Sequence, residues 1–457
     1  MTAGSLTILG GGAAGLAAGY FAARGGLPFT LLEAGDEVGG NCRTLSLGPF
    51  RFDTGAHRLH DRDPFVTREI RALLGDDLRR VSAPSHVYRR GQLVAFPLRP
   101  LDLVRKLGPG TTLRAAFDLA LARSGAAGGG DDFEAFAVRT YGRTIAREFL
   151  LDYSAKLWGL PCSRLSPHVA GRRLKGLGLG AFLLEALRGG RAATAHLDGS
   201  FLYPRGGFGL IAERLADAAG RDRIRCRTRV ERLLHDGAAI RAVGVVGREP
   251  EPCDAVVSTL SLPRLVRLFD PPLPPQVLEL AQRLRFRDVT LVALALDRPS
   301  VTASATVYFP SPAIPFNRVY EPRNRCPEMS PPGRTMLVAE LAGDAAHGRG
   351  DAEAVASVRD ELVRIGWIHE REVIDATVRR VPEAYPVLEL GSEAIVERLA
   401  HELGRFRNLW LSGRNGRFAY THLHDQVRLG HDLVCSFAER AASVRAEPPA
   451  AAPGVPA

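Results

Sequence analysis

Leu6-Thr7-Ile8-Leu9-Gly10-Gly11-Gly12-Ala13-Ala14-Gly15 is the stretch on which the fold turns. A short run of strand-forming residues enters a turn with Gly10, Gly12 and Gly15 in GxGxxG spacing, and a helix opens near Ala13. The first glycine permits the tight turn, the second lets backbone approach a pyrophosphate, and the third lets helix and strand pack closely. A pyrophosphate held there faces the free N–H groups of the helix start, where the helix dipole also favours an anion. Ala13, Ala14, Ala17 and Ala18 give this helix a small-residue face suited to lie on a sheet. Pro28 restarts the chain, Phe29-Thr30-Leu31-Leu32 reads as a second strand, and Glu33 at its end is placed to bind a ribose hydroxyl. Gly10, Gly12, Ala14, Gly15 and Glu33 are therefore the expected contacts to a dinucleotide.

Working outward, Gly39-Gly40-Asn41-Cys42-Arg43-Thr44 follows Glu33 closely. This second glycine pair with its arginine resembles the extension found in flavoproteins of the amine-oxidase superfamily. Far downstream, Gly413-Arg414 and the helix behind it resemble the late segment that returns to the flavin in the same superfamily. Ile224-Arg225-Cys226-Arg227-Thr228-Arg229-Val230 and Ala255-Val256-Val257-Ser258-Thr259 resemble its middle strands. A nicotinamide dinucleotide alone would leave these segments unexplained. The resemblance implies FAD as cofactor and adds Gly40, Asn41, Arg43, Val230, Gly413 and Arg414 to its contacts.

The same reading implies an α/β protein with a Rossmann-type (GR2-like) FAD-binding domain that is discontinuous in sequence. It is expected from residues 1–64, 200–268 and 405–443. Residues 65–199 look mainly helical and form an inserted helical domain, with a Gly-rich break at Ser124-Gly125-Ala126-Ala127-Gly128-Gly129-Gly130 that reads as a linker. Residues 269–404 alternate strands with a helix near 352–366 and form a mixed-sheet substrate domain. The Ala/Pro-rich residues 444–457 read as a disordered tail.

A narrower resemblance covers roughly residues 5 to 440. Gly40-Asn41, Phe52-Asp53-Thr54-Gly55-Ala56-His57-Arg58-Leu59-His60, Tyr153-Ser154-Ala155-Lys156-Leu157-Trp158-Gly159, Phe201-Leu202-Tyr203-Pro204-Arg205-Gly206-Gly207-Phe208, Asn317-Arg318-Val319-Tyr320-Glu321 and Gly413-Arg414-Asn415-Gly416 through Tyr420 are similar to motifs of UDP-galactopyranose mutases and their protoporphyrinogen-oxidase-like relatives. It implies catalytic roles for His57, His60, Arg318 and Tyr420, with one or both histidines beside the isoalloxazine. It implies a substrate pocket built from Tyr153, Trp158, Tyr203, Arg318, Tyr420 and His422. Trp158 must then close its helix, since Gly159 and Pro161 end it. The chain departs from the mutase pattern at Phe418, where a phenol hydroxyl is missing, and at His422 and His424, where the mutases carry acidic residues.

Two chemistries follow. In the first, reduced FAD isomerises a nucleotide sugar of pyranose/furanose type in glycan or natural-product biosynthesis, without net redox change; Arg318 and Tyr420 hold the diphosphate. In the second, oxidised FAD accepts a hydride from a substrate C–H bond, as in an amine oxidase or dehydrogenase. The expected partners are a small anionic substrate and an external reductant, NAD(P)H among the candidates. The net charge of +10 suits an anion. The basic residues are spread out and no nucleic-acid reader motif occurs, so nucleic acid is not an expected partner. No apolar run is long enough to span a membrane, and no leader pattern precedes Leu6, so the protein is expected to be cytoplasmic. The six cysteines lack CxxC spacing, which argues against a zinc site or disulfide framework and leaves no metal expected. Oligomeric state has no signature here.

Overall fold

A computed structural model describes residues 4–96, 98, 100–124, 129–173, 200–342 and 350–446. A five-stranded sheet organises the glycine turn. Its order is Leu409–Leu411, Ala255–Ser258, Leu6–Leu9, Phe29–Leu32, Ile224–Arg225, and each neighbouring pair is parallel. Strands from three separated stretches of chain thus meet in one sheet. The first strand occupies its middle, so the chain leaves in both directions from the turn at Gly10, the topological switch point where such sheets bind ligands. Helix Ala13–Arg24 packs between helices Leu210–Ala219 and Leu423–Ala446, and its alanines are buried as the sequence leads one to expect.

A second, seven-stranded sheet carries the substrate side. Its order is Val373–Pro386, Phe286–Leu296, Thr335–Ala342, Arg318–Tyr320, Thr306–Tyr308, Ser85–Arg89, Gln92–Phe96. The last two strands come from the segment expected to be a helical domain, which is a correction. They form a hairpin whose turn residues Arg90 and Gly91 both have positive φ (50° and 79°), the geometry of a tight two-residue connection. Leu78–Ser82 is a further strand of that segment and pairs with Ser200–Pro204. Among the described residues its helices are Pro64–Leu74, Pro100–Leu107, Pro109–Arg123, Phe133–Ile145 and Asp152–Trp158, with a π-helical turn at Ala146–Leu151 leading into the last.

The expected continuous strand through Val230 is broken. Arg227 has φ 53°, and the N–H groups of Arg227 and Thr228 donate to the carbonyls of Gly35 and Glu33. Val230–His235 then enters a separate four-stranded sheet, where the Val230 side chain is buried in the core. The C-terminal helix runs to Ala446, beyond the expected start of the disordered tail; residues 447–457 lie outside the described residues, as do 125–128 of the expected linker and 174–199 of the expected helical domain. The helix expected near 352–366 is Asp351–Arg364.

Candidate active site

Three glycines shape the first turn differently. A Cβ on Gly10 would sit 2.3 Å from Thr259 Oγ1, and one on Gly15 would sit 2.0 Å from the Gly10 carbonyl oxygen. A Cβ on Gly12 meets nothing within 4 Å. Gly12 is the N-cap of helix Ala13–Arg24 and offers no side-chain cap, so the space beside it opens on a helix start whose N–H groups await an acceptor. The Gly39-Gly40 segment closes over it: Gly39 N–H donates to Gly11 O at 2.8 Å, and Gly39 bridges to Gly12. Glu33 ends its strand at the rim, accepting the Gly11 and Gly35 N–H groups at 2.6 Å each. This arrangement is a cradle that a side chain would fill and that a dinucleotide's phosphates fit.

The other expected cofactor contacts are spread around this cradle. The Asn41 carbonyl accepts from Thr54 Oγ1 at 2.9 Å, and Arg43 is paired with Glu37. Gly413 lies against Ala14, with only 3.0 Å between an added Cβ and the Ala14 Cβ. Arg414 is held by backbone carbonyls. Its Nε and Nη2 donate to Thr421 O at 3.1 and 2.6 Å, and Nη1 donates to Ala384 O at 3.2 Å. The guanidinium lies over Tyr385 and Tyr420, so its evident work is to tie the C-terminal turn to the large sheet and to set both phenols.

Behind the cradle, Asp53 is a buried hub. Its carboxylate accepts from Tyr203 Oη at 2.5 Å, Thr44 Oγ1 at 2.7 Å and Phe208 N–H at 2.9 Å, while its carbonyl accepts from Tyr320 Oη at 2.5 Å. Burial pushes the Asp53 pKa up against these hydrogen bonds. Tyr203, expected in the substrate pocket, is 1% exposed and spends its hydroxyl here; it is a support, not a pocket residue. His57 stacks on Phe208 with ring centroids 5.0 Å apart. Burial, reinforced by the charges of Arg318, Arg414 and Arg325, pushes its pKa down to about 3. The imidazole is therefore held neutral.

A cavity of about 210 Å³ lies in front of this hub. Tyr153, Trp158, Tyr308, Tyr385 and Tyr420 form much of its wall, and Arg58, His60, Arg62, Arg318 and Glu340 are its ionisable groups besides the tyrosines. Helix Asp152–Trp158 ends as the sequence requires, with Gly159 in the left-handed region at φ 67°, and so Tyr153 and Trp158 both reach the cavity. Trp158 meets Tyr385 and Tyr420 edge-on at 6.1 and 6.0 Å. Of the expected substrate residues, Tyr153, Trp158, Arg318 and Tyr420 come together here. His422 does not line the cavity; its ring packs edge-on behind Tyr420 at 5.7 Å and lies parallel to His424. Phe418 is buried against Phe286.

Arg318 is fixed by its strand. It stands directly opposite Glu340 on one side and Tyr308 on the other, so all three share one face of the sheet. Its Nε donates to Glu340 Oε2 at 2.7 Å and its Nη2 to Tyr385 Oη at 3.1 Å. Burial disfavours the guanidinium charge, but Glu340 outweighs it and the pKa lies well above the usual value. Glu340 is 1% exposed, and its Oε1 has no partner among the described residues.

Sequence reasoning passed over Arg58 and Arg62, and Tyr308, Tyr385 and Glu340 with them. For the two arginines a signal existed. Ala56, Arg58, His60 and Arg62 all line the cavity, every second residue of one segment, while Leu59 is buried and pairs with Leu202. The two histidines, read from sequence as one pair, fall on opposite parities: His60 lines the cavity and His57 lies against Phe208. Tyr385 and Glu340 carry no local motif; only the pairing of distant strands brings them in.

The sequence profile of the family described as flavin containing amine oxidoreductase matches residues 13–423. Among solved structures, the fold is similar to that of a reduced UDP-galactopyranose mutase, with a TM-score of 0.85 over 96% of this chain and 95% of that one, at 18% identity. It is similar to a putative protoporphyrinogen oxidase from Exiguobacterium sp. 255-15, at TM-score 0.76 and 21% identity over 96% of this chain and 100% of that one. A cyclohexylamine oxidase from Brevibacterium oxydans IH-35A matches at TM-score 0.69 and 16% identity, over 96% and 99%. At these identities the likeness is one of fold.

Proposed function

The chain belongs to the flavin-containing amine oxidoreductase family and binds FAD; from that premise we propose that it uses reduced FAD to isomerise a nucleotide sugar between pyranose and furanose forms. The observation that carries this reading is the charge of the cavity. Arg58, Arg62 and Arg318 line it, and the one carboxylate among its lining residues, Glu340, is already held by Arg318. An alkylammonium substrate brought within about 5 Å of such a guanidinium meets about 3 kcal/mol of repulsion at an effective dielectric constant near 20. Each negative charge of a diphosphate at that distance meets about the same energy as attraction.

Bound in its reduced state, the flavin supplies a nucleophilic nitrogen that permits substitution at an anomeric carbon without net oxidation. The residues of the chain do the rest. Arg318, locked by Glu340 and Tyr385, presents a fixed cation to the leaving diphosphate. Tyr385 Oη accepts from Arg318, which leaves its own proton to donate to a phosphate oxygen, and Tyr420 stands beside it at 5.9 Å between rings. Tyr153 and Trp158 wall the sugar from water. Reduced flavin requires a donor, and NAD(P)H or another external reductant fills that role.

The second reading is hydride transfer from an anionic substrate to oxidised FAD. It draws on His422 and His424, which stand where the mutases carry acidic residues. The two readings separate on redox state. The FAD-loaded protein, chemically reduced and given UDP-sugars and other nucleotide sugars, is expected to convert pyranose to furanose, while the oxidised protein is not. Conversion by neither form, with substrate-dependent bleaching of the oxidised flavin, favours the second reading and rejects the first.

A further inference from the structure

We infer that helix Pro109–Arg123 docks the protein on an anionic lipid surface, laying its exposed apolar face into the bilayer interface while neighbouring arginines meet the headgroups. The inference does not depend on which reaction the cavity performs.

This helix is apolar on both faces, and one of them is covered. Ala115, Leu119 and Ala122 are buried. Leu119 lies against Gly142 of helix Phe133–Ile145, where an added Cβ would come within 2.9 Å of the Leu119 nitrogen. Beside it, Asp118 accepts from the Thr144 N–H and hydroxyl at 2.9 and 2.6 Å. At about 100° per residue, Leu113, Ala116, Phe117, Ala120 and Leu121 fall within one arc of about 140°. All five are exposed, and the large ones strongly so: Leu113 72%, Phe117 67% and Leu121 47%. The outer face of a surface helix is ordinarily polar. Here no carboxylate falls within the arc, and Arg114 stands exposed at its edge.

Charge selects the partner. Arg114, Arg143 and Arg147 are exposed, and none of them makes an ion pair among the described residues. The contacts Leu119–Gly142 and Asp118–Thr144 run in opposite senses along the two helices, so Arg114 and Arg147 lie toward the same end. The nearby carboxylates are engaged, Asp118 by Thr144 and Glu148 by Arg89. A second copy on this face would set the arginines against their own counterparts in a molecule of net charge +10. The three large side chains also offer roughly 400 Å², against the roughly 800 Å² per partner of a stable interface. A bilayer needs no such area and supplies the anions. No helix among the described residues is long and apolar enough to cross a membrane, so this one rests in the interface. Helix Phe133–Ile145, on which it packs, contributes Phe133 to the cavity wall, and a single helix thus joins the docking face to the cavity.

The test uses the FAD-loaded protein and vesicles of phosphatidylcholine, with or without about one-third phosphatidylglycerol, separated by flotation at physiological salt. The native protein is expected to float with the anionic vesicles at least tenfold more than with the neutral ones. Phe117→Ser keeps every charge and is expected to lower that binding at least tenfold, with flavin content unchanged and the melting temperature within about 2 °C of the native value. Arg143→Gln combined with Arg147→Gln is expected to lower it at least threefold and to reduce its dependence on salt. Absence of flotation with anionic vesicles overturns the inference, and so does undiminished flotation of Phe117→Ser, the behaviour of a basic protein adsorbed by charge alone. A doubled mass in light scattering that Phe117→Ser halves assigns the face to a second copy. A fall of about 4 °C or more in the melting temperature of Phe117→Ser assigns it to the chain itself. Either result overturns lipid docking as well.

Discussion

A single methyl group separates two glycines of the first turn. On Gly12 it enters open space beside the start of helix Ala13–Arg24, a space that fits a dinucleotide's phosphates; on Gly15 it meets the Gly10 carbonyl oxygen at 2.0 Å. Gly12→Ala is expected to leave the melting temperature of the apoprotein within about 2 °C of the native value while lowering FAD affinity about tenfold or more. Gly15→Ala is expected to cost about 1–3 kcal/mol of stability first, through overpacking; equal effects of the two changes on the apoprotein would contradict the cradle. His57 gives a pH signature. Its pKa falls from 6.5 to about 3 on folding, so the unfolded chain takes up a proton below pH 6.5 that the folded chain refuses. Stability contributed by the neutral ring is complete above that value and is lost as pH falls toward 3, by up to about 1.4 kcal/mol per pH unit. His57→Asn should flatten the dependence of the urea midpoint on pH across this window; an unchanged slope would mean that the ring is solvated.

At the scale of elements, the cavity wall depends on how helix Asp152–Trp158 is aimed. It follows the π-helical turn at Ala146–Leu151, whose wider coil rotates everything after it relative to the preceding helix. Lys156, on the same helix, donates to the carbonyls of Phe309, Ser311 and Phe316 at 3.0, 2.9 and 2.7 Å. These carbonyls belong to the link between strands Thr306–Tyr308 and Arg318–Tyr320, so one ammonium joins the aromatic wall to the arginine floor. Lys156→Met keeps the length of the side chain and removes the donor. It is expected to destabilise the protein by about 2–4 kcal/mol, measured by urea unfolding, because three carbonyl acceptors lose their donor. A cost near zero would show that water takes the place of the lysine. The end of this helix at Trp158 was legible because Gly159 and Pro161 are local stop signals. The π-helical turn and the Lys156 bonds were not, since neither has a local composition of its own.

Across the whole molecule, legibility follows the range of the interactions. The start of the parallel sheet could be read because Leu6–Leu9 and Phe29–Leu32 are short apolar runs and the glycine spacing fixes the crossover between them, while the later strands were placed by resemblance. The hairpin Ser85–Arg89 and Gln92–Phe96 was missed because its residues are mixed in polarity and its partner strand Thr306–Tyr308 lies far along the chain. The same distance hid Tyr385 and Glu340, which reach Arg318 only through strand pairing. Arg58 was hidden differently. It sits inside a motif chosen for its histidines, and only the alternation of that extended segment reveals which side chains face the cavity. The two sheets and the helices thus converge on a cavity lined by Arg58, Arg62 and Arg318 beside the dinucleotide cradle.

Isomerisation without net redox change would leave the flavin reduced, so that one reduction serves many turnovers. Its most direct measurement reduces the FAD-loaded protein a single time under anaerobic conditions, adds a nucleotide sugar in large excess, and follows furanose formation and the flavin spectrum together. Many product molecules per flavin are expected, with the flavin still reduced at the end. Product limited to one per flavin, or none from the reduced protein while substrate bleaches the oxidised form, would contradict it.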